Sequence, residues 1–210
     1  MNIVRAIRQL CEGENAFRDL FNKARSYGKL AALTDDKKEA ELFAALIYGK
    51  ARTALLELIN DVYNYEQHAA VVREALLSDG LGTADTKRAL EIFYMTFGFP
   101  GYREVDTSKV STLTDTIGDD FRVEYEGEIQ GGKEYGVGVR NCYYHGKWCS
   151  RDECVWINGV MTGYNSLKEM EFGAFETKKV GFVVEDNFVG NIQCFYGEDE
   201  EIDAVSRFTV

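Results

Sequence analysis

The chain has 210 residues, 45% of them hydrophobic, and a formal net charge of −11 at pH 7. That apolar share suits a globular protein with a real core, and with no run of about 18 apolar residues a membrane span is not expected. Residues 1–100 hold 13 Lys/Arg against 14 Asp/Glu and residues 101–210 hold 11 against 21, which disfavours nucleic acid and anionic membrane as partners, since both are bound by cations that displace counterions.

The opening residues, Met1-Asn2-Ile3-Val4-Arg5-Ala6-Ile7-Arg8, place charges where a signal peptide needs an apolar stretch. Five cysteines, an odd number spread over a long chain, suit reduced thiols better than a disulfide framework. Both features point to a cytoplasmic protein.

Helical spacing starts at once. Ile3, Ile7 and Leu10 form a stripe that ends near Gly13, and Phe17, Leu20, Phe21 and Ala24 form a second that ends near Gly28. From Thr34, expected as a cap, the series Ala40, Phe43, Ala44, Ile47, Ala51, Ala54, Leu55, Leu58, Val62 follows one helix face. Gly49 interrupts that series and marks either a kink or a break. A further helix runs from about Gln67 to Leu77 and stops at Ser78-Asp79-Gly80, and the last begins at Thr83 and ends at Gly98-Phe99-Pro100. Helices that each carry one apolar stripe must pack together, so residues 1–100 read as a helical bundle.

Within it, Leu77-Ser78-Asp79-Gly80-Leu81-Gly82-Thr83-Ala84-Asp85-Thr86-Lys87-Arg88-Ala89-Leu90-Glu91-Ile92-Phe93 and the following Phe97-Gly98-Phe99 are similar to a small helical element of uncharacterised bacterial proteins. The resemblance implies a bacterial accessory domain and no activity.

Residues 101–120 change character. Pro100-Gly101 ends the helix, and the Thr/Ser-rich stretch from Val105 to Thr116 reads as a solvated linker. Beyond Gly118, Gly and aromatic residues recur among alternating polar ones, with turn signals every 8–12 residues. Residues 121–210 therefore read as an antiparallel β-meander, and the whole chain as α+β.

The most specific stretch is Tyr125-Glu126-Gly127-Glu128-Ile129-Gln130-Gly131-Gly132-Lys133-Glu134-Tyr135-Gly136-Val137-Gly138-Val139. Gly132 suits a tight hairpin, and Gly136 and Gly138 leave one strand face bare for an aromatic from a neighbouring hairpin. The Tyr-x-Gly followed by Gly-x3-Gly-x-Gly resembles the MORN repeat, a hairpin unit of about 23 residues. Steps of that length lead from Tyr125 to Trp148, from Gly136 to Gly159, and in two steps from Gly127 to Gly173, but Ser150 and Met161 stand where Gly is wanted. One good repeat and two or three degenerate ones over about 121–197 are expected. The resemblance implies scaffolding, dimerisation or an immunity-like partner role.

Candidate chemistry is sparse. Among Cys142, Cys149 and Cys154, with His145 between them, only the Cys149/Cys154 pair comes near structural-zinc spacing, and alternating strands would send such cysteines to opposite faces, so no metal or cofactor is expected. Neither His68 nor His145 stands in a nucleophile signature, and Gly131-Gly132-Lys133 is no P-loop, which argues against an enzyme. Glu124, Glu126 and Glu128 share one strand face by alternation and form an acidic stripe. Tyr143, Tyr144, Trp148, Trp156 and Tyr164, with Phe172 and Phe175, exceed what one thin sheet needs to bury and serve as interface residues as readily as core. The reading is a non-catalytic interaction protein whose acidic, aromatic surface meets a basic protein, with self-association also compatible. Its alternative is a small-molecule or nucleotide binder with a pocket where the helical and β parts meet.

Overall fold

The computed structural model describes residues 1–22, 25–103, 105, 107–171, 175–196 and 201–208. It divides into two compact units, Met1–Tyr102 and Arg103–Val210. The chain is α+β: helices fill the first unit and an antiparallel meander fills the second.

In the first unit α1 (Ile3–Leu10), α2 (Ala16–Asn22), α3 (Arg25–Leu33), α4 (Lys37–Tyr48), α5 (Ala51–Asn60), α6 (Tyr65–Ser78) and α7 (Thr83–Phe97) follow in order. Three local expectations are corrected. Asp36, not Thr34, caps α4, its carboxylate accepting the Glu39 N–H at 3.0 Å, while Thr34 accepts the N–H of Asp36. Gly49 is a break, since α4 ends there and α5 starts two residues on. Gly28, expected past the end of a helix, lies inside α3. The apolar stripes pack as anticipated: Phe93 and Phe97 have ring centroids 5.0 Å apart, and Phe17 meets Phe97 edge-on at 5.5 Å. Arg8 is buried among them because its guanidinium donates to the carbonyls of Thr96 and Met95 at 2.9 and 2.8 Å. It thereby satisfies carbonyls that the end of α7 leaves without a helical partner.

The second unit holds β1 (Val110–Ile117), β2 (Phe121–Gln130), β3 (Lys133–Tyr144), β4 (Lys147–Ile157), β5 (Val160–Met161), β6 (Gly163–Glu171), β7 (Phe175–Val184), β8 (Asn187–Tyr196) and β9 (Glu201–Phe208). All pair with their neighbours as one antiparallel sheet in the order β1-β2-β3-β4-β6-β7-β8-β9, with β5 a short flap on β4. β1 corrects the linker reading, because it lies within 101–120 and pairs with β2 over eight consecutive positions. Its composition looked like a solvated connector because most of its side chains are exposed.

Turn chemistry sets the hairpins. Gly131-Gly132, His145-Gly146, Asn158-Gly159 and Glu185-Asp186 each have positive φ at both positions, as two-residue turns that match strand twist require. Tyr125 shows what the Tyr and Gly spacing does. A Cβ on Gly127 would lie 2.2 Å from its hydroxyl, and one on Gly138 would lie 2.4 Å from the same atom. The ring thus lies flat across two glycines paired with each other on adjacent strands, and its hydroxyl donates to the Tyr135 carbonyl at 3.0 Å. The aromatic comes from the same hairpin, where the sequence suggested a neighbouring one.

The 23-residue steps do not reproduce this packing. Trp148 is half-buried at the far end of β4, and Gly173 lies outside the described residues. A comparable contact recurs in β7–β8, where Phe188 covers Gly181: a Cβ there would meet its ring at 2.6 Å. In that hairpin the aromatic sits on the second strand and the glycine on the first, the reverse of β2–β3.

Candidate functional site

Paired residues of antiparallel strands point to the same face, so the register sorts the side chains of the sheet. One row runs Thr112, Glu126, Val139, Glu153, Ser166 and the next Thr114, Glu124, Asn141, Arg151, Lys168. β2 is uninterrupted from Phe121 to Gln130, so Glu124, Glu126 and Glu128 share this face as alternation predicted, while Tyr125 and Gly127 take the other. Glu126 is exposed, Glu128 is half-buried, and Glu124 is paired with Arg122 at 3.3 Å.

Arginines organise the same face. The Arg122 guanidinium lies 4.4 Å from the centroid of the Tyr143 ring. Glu153 is held by Arg103 at 3.1 Å and by Arg151 at 2.9 Å. Burial alone raises the Glu153 carboxyl, but the Arg151 hydrogen bond and the charges of Arg151 and Arg103 outweigh it and hold the group below its ordinary range. Arg103 also lies 5.7 Å from the Tyr164 ring centroid. Between these groups is an open groove of about 360 Å³, lined by Arg103, Arg151 and Glu126 and floored by Val110, Val137 and Val139. Two guanidiniums, one carboxylate and valines make a surface suited to charged side chains with aliphatic stems.

The expected aromatic residues do not gather on one surface. Tyr143 and Trp148 are cross-strand partners and share the carboxylate-bearing face at one end of the strands. Tyr144 takes the opposite face, 52% exposed, with its ring 4.1 Å from that of His145. Trp156 is a correction. It is fully buried, edge-on to Tyr125 at 5.2 Å and packed with Cys154, so it belongs to the core of the sheet and offers no contact surface. The surplus of aromatics counted from sequence overlooked how much area a tyrosine laid across two glycines asks its neighbours to cover. Phe172, and the side chain of Phe175, lie outside the described residues.

His145 holds Asp120 at 2.8 Å through Nδ1, and both are more than half exposed. Burial pushes the Cys154 thiol up to about 12 and also raises Cys142, so both are protonated at neutral pH. Among the described residues, no three His, Cys, Asp or Glu side chains are placed to hold one metal ion, and no helix is long and apolar enough to cross a membrane. Sequence reasoning missed Arg103, Arg151 and Glu153. The run Arg151-Asp152-Glu153 carried the signal, since alternation sends its two ends to one face and Asp152 to the other.

Asp152 is accordingly buried on the Tyr125 side, accepting a hydrogen bond from Asn165 at 3.1 Å. Burial raises its carboxyl, and the Asn165 hydrogen bond and the Arg140 charge only partly offset that. No protein-family model matches the chain, nor does any curated protein or solved structure.

Proposed function

We propose that this chain is a non-catalytic interaction protein of the cytoplasm, an adaptor or inhibitor whose β unit meets a basic protein, and that its β2–β3 hairpin is a MORN-like unit. The observation that carries the reading is the division of labour across β2. Its Tyr125 side is packed against Trp156, while its other side carries Glu124, Glu126 and Glu128 beside Tyr143 and Trp148. The charge balance of residues 101–210, 11 Lys/Arg against 21 Asp/Glu, steers a basic surface toward that side and repels acidic ones. Tyr125 lying across Gly127 and Gly138 supports the MORN-like assignment, because it gives each residue of the Tyr-x-Gly and Gly-x-Gly pattern a packing role.

The test is a pull-down from source lysate with the wild-type chain and with Glu124→Lys/Glu126→Lys/Glu128→Lys, both checked for folding by circular dichroism. One basic protein retained by the first and lost by the second is the expected result. Recovery of no protein by either form refutes the reading, and turns attention to small molecules at the Arg103–Arg151 groove.

A further inference from the structure

The geometry points to β1 as a docking edge for an extended basic segment of the partner, an inference that rests on the interaction reading and specifies the chemistry it recognises. β1 is eight residues long, pairs with β2 without a break in register, and among the described residues has no strand on its other side. A strand in that position presents a row of backbone N–H and C=O groups to which another strand can add. Sheet edges are ordinarily guarded by proline, lysine or a bulge. Val110-Ser111-Thr112-Leu113-Thr114-Asp115-Thr116-Ile117 has none of these and a single charge, Asp115. Thr112, Thr114 and Thr116 are exposed, and Ile117 is 61% exposed.

Charge selects the occupant. Val110, Thr112 and Thr114 stand directly beside Glu128, Glu126 and Glu124 on one face. A strand added to β1 places alternate residues opposite those three, two strand spacings or roughly 9.5 Å from the glutamate backbone. On β1 itself only the short side chains of Val110, Thr112 and Thr114 intervene, so lysines or arginines at every second position of the added strand reach across it to Glu126 and Glu128 and compete with Arg122 for Glu124. Asp115 points to the other face and does not interfere. A second copy of this chain is a poorer occupant, because β1 has no cation of its own and residues 101–210 are strongly acidic.

The probe is a fluorescent, end-capped peptide of alternating Lys and Thr, compared with an isomer of the same composition whose lysines are contiguous. At low ionic strength the alternating peptide is expected to bind the full chain about tenfold tighter than the block isomer and to slow amide exchange across residues 110–117. Glu124→Gln/Glu126→Gln/Glu128→Gln is expected to weaken it by about tenfold, on the order of three exposed ion pairs. Thr114→Pro, confirmed folded by near-ultraviolet circular dichroism, is expected to abolish the preference between isomers. Equal affinity for the two isomers, or protection away from β1, overturns edge addition and leaves an acidic face that binds by charge alone. Failure of both peptides to bind while the lysate pull-down still returns its basic protein overturns this inference alone; failure of both experiments overturns the interaction reading with it. A dimer of the free chain by sedimentation, dissolved by Thr114→Pro, assigns the edge to a second copy and overturns the basic segment.

Discussion

Gly138→Ala adds one methyl group at the point where the β unit is least able to accept it. The new Cβ would lie 2.4 Å from the Tyr125 hydroxyl oxygen and 2.5 Å from two of its ring carbons, well inside contact distance. The ring is 1% exposed, edge-on to Trp156, and its hydroxyl is committed to the Tyr135 carbonyl, so it moves aside only by giving up those contacts. Overpacking of this kind costs about 1–3 kcal/mol. The lost hydrogen bond adds roughly 1 kcal/mol. Against these, replacing glycine stiffens the unfolded chain and returns about 0.5–1 kcal/mol. The expected net loss is therefore about 2 kcal/mol. Both tryptophans, Trp148 and Trp156, lie in the β unit, so urea unfolding of the full chain followed by tryptophan fluorescence reports on that unit. The decisive comparison is Gly138→Ala in a Tyr125→Leu background, where the ring atoms that meet the methyl are gone. There the cost is expected to fall below about 0.5 kcal/mol. An equal cost in both backgrounds refutes the claim that Tyr125 is what requires glycine at 138.

The Asp152 carboxyl is raised by burial, so the native state holds its proton more tightly than the unfolded chain does. Its ionised form then costs stability above that raised value, and the cost fades as pH falls through it toward the ordinary aspartate value. Asp152→Asn keeps an acceptor for Asn165 and is expected to raise the urea midpoint at neutral pH, with the gain shrinking in acid; a gain constant with pH contradicts this account. Glu185 sits at φ 51 in the β7–β8 turn with a buried carboxylate oxygen lacking a hydrogen-bond partner. Asn tolerates that backbone, so Glu185→Asn is expected to stabilise the β unit by roughly 1 kcal/mol. A lowered midpoint in the same assay counts against it.

Apart from α3, which was not expected, the helices were legible because each buries one stripe at helical spacing, and α7 runs from Thr83 to Phe97 as its Thr83 start and Gly98 stop implied. Caps were less legible. Thr34 and Asp36 are both plausible from sequence, and only the backbone decides which side chain meets the first free N–H. β1 was hidden for a physical reason: an exposed edge strand needs no apolar alternation, so its Thr and Ser resemble a connector, and pairing with β2 supplies what composition does not. The 23-residue period likewise failed as a guide to packing, because covering a glycine with an aromatic asks only that the two meet across a ladder. Tyr125 on Gly138 and Phe188 on Gly181 do so in opposite chain order.

The same ladder explains why the candidate site was half readable. Alternation along a single strand is fixed by the backbone, so the shared face of Glu124, Glu126 and Glu128 followed from sequence alone. Which residues of other strands join them depends on register, and register depends on turns and bulges that shift it. β3 carries two extra residues, Gly136 and Val137, opposite the step from Gly127 to Glu128. β4 carries one, Cys149, opposite the step from Cys142 to Tyr143. Were Cys149 paired into the ladder instead, with the turn held, Arg151 would stand opposite Arg140 and Glu153 opposite Gly138, and both would move to the Tyr125 face. The bulge at Cys149 is thus the feature that assembles the arginines, the glutamates and the end aromatics on one surface. It left no mark in the sequence because the extra residue is an ordinary half-buried side chain rather than a glycine.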